Sequence, residues 1–127
     1  MNNTYQIYLI SDSTGETLDR IFLALKAQFK NIEYKVNSYS FTRTENQIIK
    51  ILENAKKNNN SIILYTIVDN SLAKFLANQS EDKGIPCFGI LGNLILSFSK
   101  LLNQKASHEP SGQHALNEEY YQRIEAI

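Results

Sequence analysis

The apolar positions change period several times along the chain, and each change marks a boundary. Tyr5, Ile7, Leu9 and Ile10 have the β-branched and aromatic content of a mostly buried strand. Leu18, Ile21, Phe22, Leu25 and Phe29 then recur at helical spacing. Between the two lies a polar loop, SDSTGET, residues 11–17. Ser13 and Glu16 stand there at capping-box spacing, which predicts that hydroxyl and carboxylate satisfy the first free amides of the helix. Gly15 lets the backbone come close to whatever sits above it.

The same alternation continues downstream. Asn31 to Phe41 carries Tyr34, Val36 and Tyr39 in alternation, a second strand nearer the sheet edge. Thr44 and Gln47 form another capping-box pair, opening a helix with Ile48, Ile51, Leu52 and Ala55 inward and the polar turn KKNNN behind it. Ser61 to Val68 (SIILYTIV) is the most continuous apolar run, as a central parallel strand covered on both faces requires. Asp69 caps a third helix facing inward through Leu72, Ala73, Phe75 and Leu76, and Gly84 ends it. Ile85 to Leu91 supplies a fourth strand, after which Gly92 and Asn93 lead into a helix with Leu94, Ile95, Phe98, Leu101 and Leu102 on one face. Strand and helix thus alternate through residue 105, which predicts an α/β fold: a four-stranded, mainly parallel, Rossmann-like sheet with helices on both faces.

From Lys105 the character changes. Ser107 to Asn117 (SHEPSGQHALN) is a polar loop holding both histidines, and Asn117 caps a last helix with Tyr120, Tyr121, Ile124 and Ile127 at helical spacing. That pattern stops without a glycine cap or a closing basic turn, so a truncated C-terminal helix is expected. The expected organisation is an N-terminal α/β domain over residues 1–105 and a connecting loop and helix over 106–127.

Composition narrows the classes without choosing among them. The 127 residues are enough for one domain with a real core, and 43% hydrophobic with 20% charged residues is ordinary globular composition. Lysine plus arginine equals aspartate plus glutamate at 13 each, so there is no electrostatic footprint for nucleic acid. The first apolar segment is only strand-length and no basic region precedes it, which argues against a signal peptide or a membrane span and makes a cytoplasmic location the default. Cys87 is the sole cysteine; beside Pro86 and Phe88 it reads as a small buried hydrophobe, since a nucleophile needs a base nearby.

The candidate chemistry gathers at the expected carboxyl edge of the sheet, where such folds bind ligands. Exposed N–H groups at the start of the first helix favour an anion there. Asp12 and Glu16 oppose a simple phosphate cradle unless a metal or a lysine intervenes. Asp12 and Asp69 close the first and third strands, and two carboxylates so placed suit a magnesium ion; capping accounts for Asp69 equally well, and no metal ligand is assigned. His114, beside Gln113 and after a Pro-Ser-Gly turn, suits a phosphate ligand or an acid/base near neutral pH, against the plainer reading of surface histidines. The five glycines form neither a P-loop nor a dinucleotide fingerprint, so the chain lacks a self-sufficient nucleotide site of either kind.

Three stretches carry a resemblance: ISDSTGET (Ile10 to Thr17), YTIVD (Tyr65 to Asp69) and PSGQHALNEEYYQRIEAI (Pro110 to Ile127). They resemble the pyruvate, phosphate dikinase regulatory proteins and the closely similar phosphoenolpyruvate synthase regulators, bacterial ADP-dependent kinase/pyrophosphorylases. The resemblance spans essentially the whole chain. It implies that this is the N-terminal portion of such an enzyme, leading to a P-loop kinase domain absent from the sequence. That family phosphorylates a threonine of the dikinase with ADP as donor, and reverses this with inorganic phosphate, releasing pyrophosphate. Carried onto this sequence, the resemblance implies an anion-contacting edge of Ser13, Thr14, Gly15 and Thr17, with Asp12 positioning a metal or hydroxyl and Gln113 and His114 reaching in from the connecting loop. The pattern departs where a basic residue usually precedes Gln-His, since Gly112 precedes Gln113 here, and Asn117 replaces an acidic cap.

Two other classes stay open. S-T-G-E-T resembles the loop that wraps the phosphate of a flavin mononucleotide in flavodoxin-like modules, although Asp12 stands where a threonine belongs and four strands are counted where that fold has five. A non-catalytic partner-binding domain, including a homodimer, would use the exposed face of the last helix.

Overall fold

The computed structural model describes residues 4–107 and 109. Gln113, His114 and the final helix expected after Asn117 lie outside the described residues, as does His108.

Four consecutive residues, Ile7, Tyr8, Leu9 and Ile10, are buried in the first strand β1 (Thr4–Ser11). Consecutive buried residues point to opposite faces, so this strand must be covered on both. It pairs in parallel with β2 (Glu33–Tyr39) on one side and with β3 (Ser61–Thr66) on the other, and β3 pairs in parallel with β4 (Cys87–Gly89). The sheet order is β2-β1-β3-β4, which makes β3 interior and β2 an edge, as its alternating polar pattern predicts. Helices α1 (Glu16–Lys26), α2 (Glu45–Lys56), α3 (Asn70–Asp82) and α4 (Gly92–Leu102) follow the four strands in turn.

One face of the sheet is closed by α2 and α3. Ile48, Ile51, Leu52 and Ala55 of α2 and Leu72 and Leu76 of α3 bury themselves against Tyr8, Ile10 and Ile63. Both helices begin with a formed cap: Thr44 and Gln47 make the complete capping box, and Asp69 accepts from the amides of Ser71 and Leu72. Four apolar α2 positions expected inward are all inward.

On the opposite face α1 packs with Leu18 and Phe22 on Ile7, Leu9 and Leu64. The expected stripe is only half used, because Leu25 is 44% and Phe29 53% exposed. The capping box expected at Ser13 and Glu16 does not form. Gly15 occupies the N-cap with φ 88°, in the left-handed region that a glycine enters freely, and no side chain caps the helix. That turn geometry displaces Ser13 from capping distance, and its hydroxyl lies by Ser11 instead.

Two further expectations change at the end of the chain. The fourth strand is three residues, not seven: Pro86 has no N–H to donate to a ladder, and the strand ends at Gly89. A Cβ on Gly89 would come within 2.6 Å of the Tyr65 ring, so a larger residue there would require that side chain to move. Helix α4 buries none of its residues, and Leu94, Phe98 and Leu101 are 56%, 57% and 81% exposed. The periodicity reports an apolar stripe but is silent on whether anything in the described residues covers it.

Candidate functional site

The topology selects a place. From β1 the chain moves through α1 to β2 on one side, and from β3 through α3 to β4 on the other, with the two helices on opposite faces. The loops leaving β1 and β3 therefore diverge and open a crevice at the carboxyl ends of these adjacent strands, the switch point where open α/β sheets bind ligands. A cleft of about 260 Å³ lies there, lined by Ser11, Asp12, Ser13, Gly15, Thr17 and Leu18 from the first loop, Thr66 and Val68 from the third strand's end, and Leu91 and Glu109. Ligand pockets for drug-sized molecules start at about 300 Å³, so this space suits a group the size of a phosphate better than a whole nucleotide.

Its floor is a chain of hydroxyls. Ser11 and Thr66 are register partners across β1 and β3, both buried, and the Thr66 hydroxyl donates to Ser11 Oγ at 3.2 Å. Ser11 Oγ also accepts the Ser13 amide at 3.1 Å and lies 3.4 Å from Ser13 Oγ. Above this floor, the amides of Thr17 and Leu18 at the uncapped start of α1 have no acceptor among the described residues. Such donors attract an anion, aided by the positive end of the helix dipole.

The loop is fastened from the side facing away from the cleft. The Thr42 amide donates to the Ser11 carbonyl at 2.9 Å and the Phe41 amide to the Ser13 carbonyl at 2.9 Å. Arg43 Nε donates to the Asp12 carbonyl at 2.9 Å and Ser40 Oγ to the Thr14 carbonyl at 2.8 Å. Four successive carbonyls are thus held by the segment between β2 and α2.

Asp12 is the most constrained ionisable group here. The residue is 4% exposed, and its carboxylate accepts the Val68 amide at 2.8 Å, which ties the β1 and β3 loops together. Burial raises its pKa above the ordinary carboxylate value, and the nearby Asp69 charge adds to this. The Val68 hydrogen bond and the Arg43 charge act the other way. A carboxyl raised in this manner moves toward the range useful for accepting a hydroxyl proton.

Of the residues singled out from the sequence, Asp12, Ser13, Gly15 and Thr17 share the cleft. Thr14 does not line it; its carbonyl and hydroxyl are turned to Ser40 and the Glu16 amide. Asp69 is engaged as the α3 cap and does not line it either. Among the described residues no three His, Cys, Asp or Glu side chains gather to hold a metal ion. Cys87 is half-buried with its thiol pKa raised by burial, which disfavours the nucleophilic thiolate. Sequence reasoning missed Ser11, Thr66, Val68 and Arg43. The signal for the first two was small hydroxyl residues ending two apolar runs, legible only once the register pairs them.

A family model described as kinase/pyrophosphorylase matches residues 7–127. The chain belongs to this kinase/pyrophosphorylase family. It is 80% identical over its whole length to a protein of Pelagibacter ubique (strain HTCC1062) provisionally named a pyruvate, phosphate dikinase regulatory protein, covering 46% of that protein. It is 38% identical over 96% of its length to a protein of the same name from Geotalea uraniireducens (strain Rf4), covering 45%. A third so named, from Geobacter metallireducens, is 36% identical over 95% of this chain. The chain spans a little under half the length of these relatives. No helix among the described residues is long and apolar enough to cross a membrane.

Proposed function

We propose that this chain is the N-terminal part of a bifunctional serine/threonine kinase and pyrophosphorylase acting on pyruvate, phosphate dikinase or the related phosphoenolpyruvate synthase. In the forward direction the β-phosphoryl of ADP passes to a threonine hydroxyl of the target, leaving AMP. In the reverse direction inorganic phosphate takes the phosphoryl group from the phosphothreonine, giving pyrophosphate and the free hydroxyl. Both reactions move one phosphoryl group between oxygens, so one phosphate-sized cleft can serve both.

The observation that carries this reading is the cleft at the β1/β3 switch, with its hydroxyl floor and the open amides of Thr17 and Leu18. It is a phosphate-sized site without a P-loop, as expected of a unit that handles the phosphoryl group while a nucleotide-gripping half lies elsewhere in the polypeptide. In this reading residues 1–105 form the phosphate-handling domain and 106–127 the connection to that half. The Ser13 hydroxyl and the amides of Thr17 and Leu18 steady the phosphate, and Asp12 orients the threonine hydroxyl and accepts its proton. Asp12 is also the residue that would hold a magnesium ion brought by the substrate phosphates, which would neutralise charge beside Asp12 and Glu109. Gln113 and His114 complete the site from the connecting loop. The flavin reading shares the strand order of the four strands present, but no observation on the cleft favours it over phosphate.

The test is phosphoryl transfer in both directions by the longer protein that contains this chain, with purified dikinase as target. Asp12→Ala is expected to lower both rates by about 10²-fold or more while the thermal midpoint stays within a few degrees. Unchanged rates in both directions would remove Asp12 from the chemistry. The 127-residue chain alone is expected to show no transfer, and turnover by it would overturn the two-part reading.

A further inference from the structure

A carboxylate beside a phosphate-sized space is an electrostatic conflict, because two anions in one small cleft repel each other. Asp12 stands in that position. It lines the cleft and is the one buried charged residue among the described residues. Beyond the Val68 amide and its own backbone N–H, its carboxylate accepts nothing among the described residues. A carboxylate offers about four acceptor positions, so capacity is left unfilled.

The other groups around the space are donors. Ser11 Oγ accepts from the Thr66 hydroxyl at 3.2 Å and from the Ser13 amide at 3.1 Å. A hydroxyl has two acceptor positions and one proton, so with both positions filled Ser11 is left to donate. The acceptor within its reach is Ser13 Oγ, at a long 3.4 Å, while Ser11 itself is 2% exposed and lines the cleft. Either Ser11 donates into the cleft, or it donates to Ser13, which then passes its own proton on. With the amides of Thr17 and Leu18, the cleft presents several donors and one buried acceptor.

A ligand that matches this set carries several acceptor oxygens and one O–H. Inorganic phosphate keeps a proton at neutral pH, whereas sulfate has the same tetrahedral shape and none. We infer that the cleft selects inorganic phosphate over sulfate, with Asp12 accepting the phosphate O–H while the Ser11–Ser13 hydroxyls and the Thr17 and Leu18 amides donate to the other oxygens. This rests on the reading of the cleft as a phosphate site and adds to it the group that discriminates. The ligand's proton lies between two negative oxygens and turns their repulsion into a charge-assisted hydrogen bond. Sulfate leaves the buried carboxylate unpaired, and a site built to bond a ligand hydroxyl rejects an analogue lacking it by large factors.

The other charges facing Asp12 leave it in this role. Arg43, from the segment between β2 and α2, bonds its backbone carbonyl and favours the ionised form. Asp69 at the start of α3 and Glu109 on the lining are exposed, so water solvates their carboxylates. Burial makes Asp12 harder to ionise, so in acid it carries its own proton, becomes a donor and accommodates sulfate as well.

The test is nuclear magnetic resonance titration of the 127-residue chain with sodium phosphate and with sodium sulfate, in the presence of a chelator, following the Thr17 and Leu18 amides. Near neutral pH, phosphate is expected to move both amides at concentrations about 10²-fold or more below those that sulfate needs. Asp12→Asn keeps an oxygen for the Val68 amide and replaces the open acceptor with N–H donors, and is expected to lose that preference. In the parent chain, lowering the pH through the raised Asp12 value is expected to strengthen sulfate binding and narrow the gap. Equal affinities near neutral pH, or a preference that survives in Asp12→Asn, would overturn the inference and leave the cleft a phosphate site. A preference seen only when magnesium replaces the chelator would overturn it too, since a metal ion and not a proton would then bridge Asp12 to the ligand. Displacement of neither amide by either anion would overturn the phosphate reading itself, and this inference with it.

Discussion

The two faces of this sheet are built to different standards. Under α2 and α3 the expected apolar positions all pack on the core, Ala73 and Phe75 only partly buried, both helices start from formed caps, and Leu52, Leu76 and Ile63 have no exposed surface. Under α1 the packing is partial, the helix starts from an uncapped left-handed glycine, and large side chains stand open. The difference teaches where each face's free energy is directed. A capped helix has spent its first amides on its own side chains, whereas an uncapped one keeps them for something else. The face that looks poorly made is the one bordering the cleft.

Substitutions can sharpen or break this contrast, and the largest effect lies in the cores. Leu52→Ala on the closed face is expected to cost about 2–5 kcal/mol in urea unfolding, because it leaves a cavity that α2 cannot collapse into. Phe29→Ala on the open face removes a larger side chain but one 53% exposed, and is expected to cost less than about 1 kcal/mol. Comparable losses would mean that the two faces are equally consolidated.

The caps give a smaller version of the same comparison. Thr44→Ala breaks the capping box of α2 and is expected to cost about 1 kcal/mol, read from the same unfolding curves. Ser13→Ala, at the residue that sequence spacing nominates as the cap of α1, is expected to cost only a few tenths of that. A loss at Ser13 matching that at Thr44 would show a cap at α1 after all.

The finest probe is pH, at the seam where Asp12 joins the two loops. Burial raises the Asp12 pKa in the folded protein, so the folded state holds that proton more tightly than the unfolded chain does. The stability contributed by this group is greatest in acid and falls as pH rises from the unfolded value, near 3.8, through the raised folded value. Asp12→Asn keeps an oxygen for the Val68 amide and removes the titration. The variant is therefore expected to gain denaturant midpoint relative to the parent as pH rises through that window and to hold a constant difference above it. A difference that shrinks with rising pH would show a lowered pKa.

The closed face was legible in the sequence because its signals are local. The α2 stripe, the Thr44–Gln47 spacing, the Asp69 cap and the run SIILYTIV each fall within a dozen residues, and each is found as expected. The site was legible only in outline. Asp12, Ser13, Gly15 and Thr17 stand in one loop and could be nominated together, but Ser11 meets Thr66 across 55 positions of sequence and Arg43 meets Asp12 across 31. Such pairings follow from strand register and crossover direction, which no local pattern encodes. The Ser13 misreading has a related cause: spacing alone cannot say that Gly15 adopts a left-handed conformation and takes the cap position itself. For α4 the stripe was read correctly and its burial was not, since amphipathicity names a surface and leaves its neighbour unnamed.

The four bonds from Ser40, Phe41, Thr42 and Arg43 to the carbonyls of residues 11–14 have a consequence for how this site can be retuned. The mould of the cleft is held by a strip of chain absent from the cleft's own wall. Alterations to that strip would reshape the cleft without touching any group that lines it, so attempts to retune the space could begin behind the loop rather than within it.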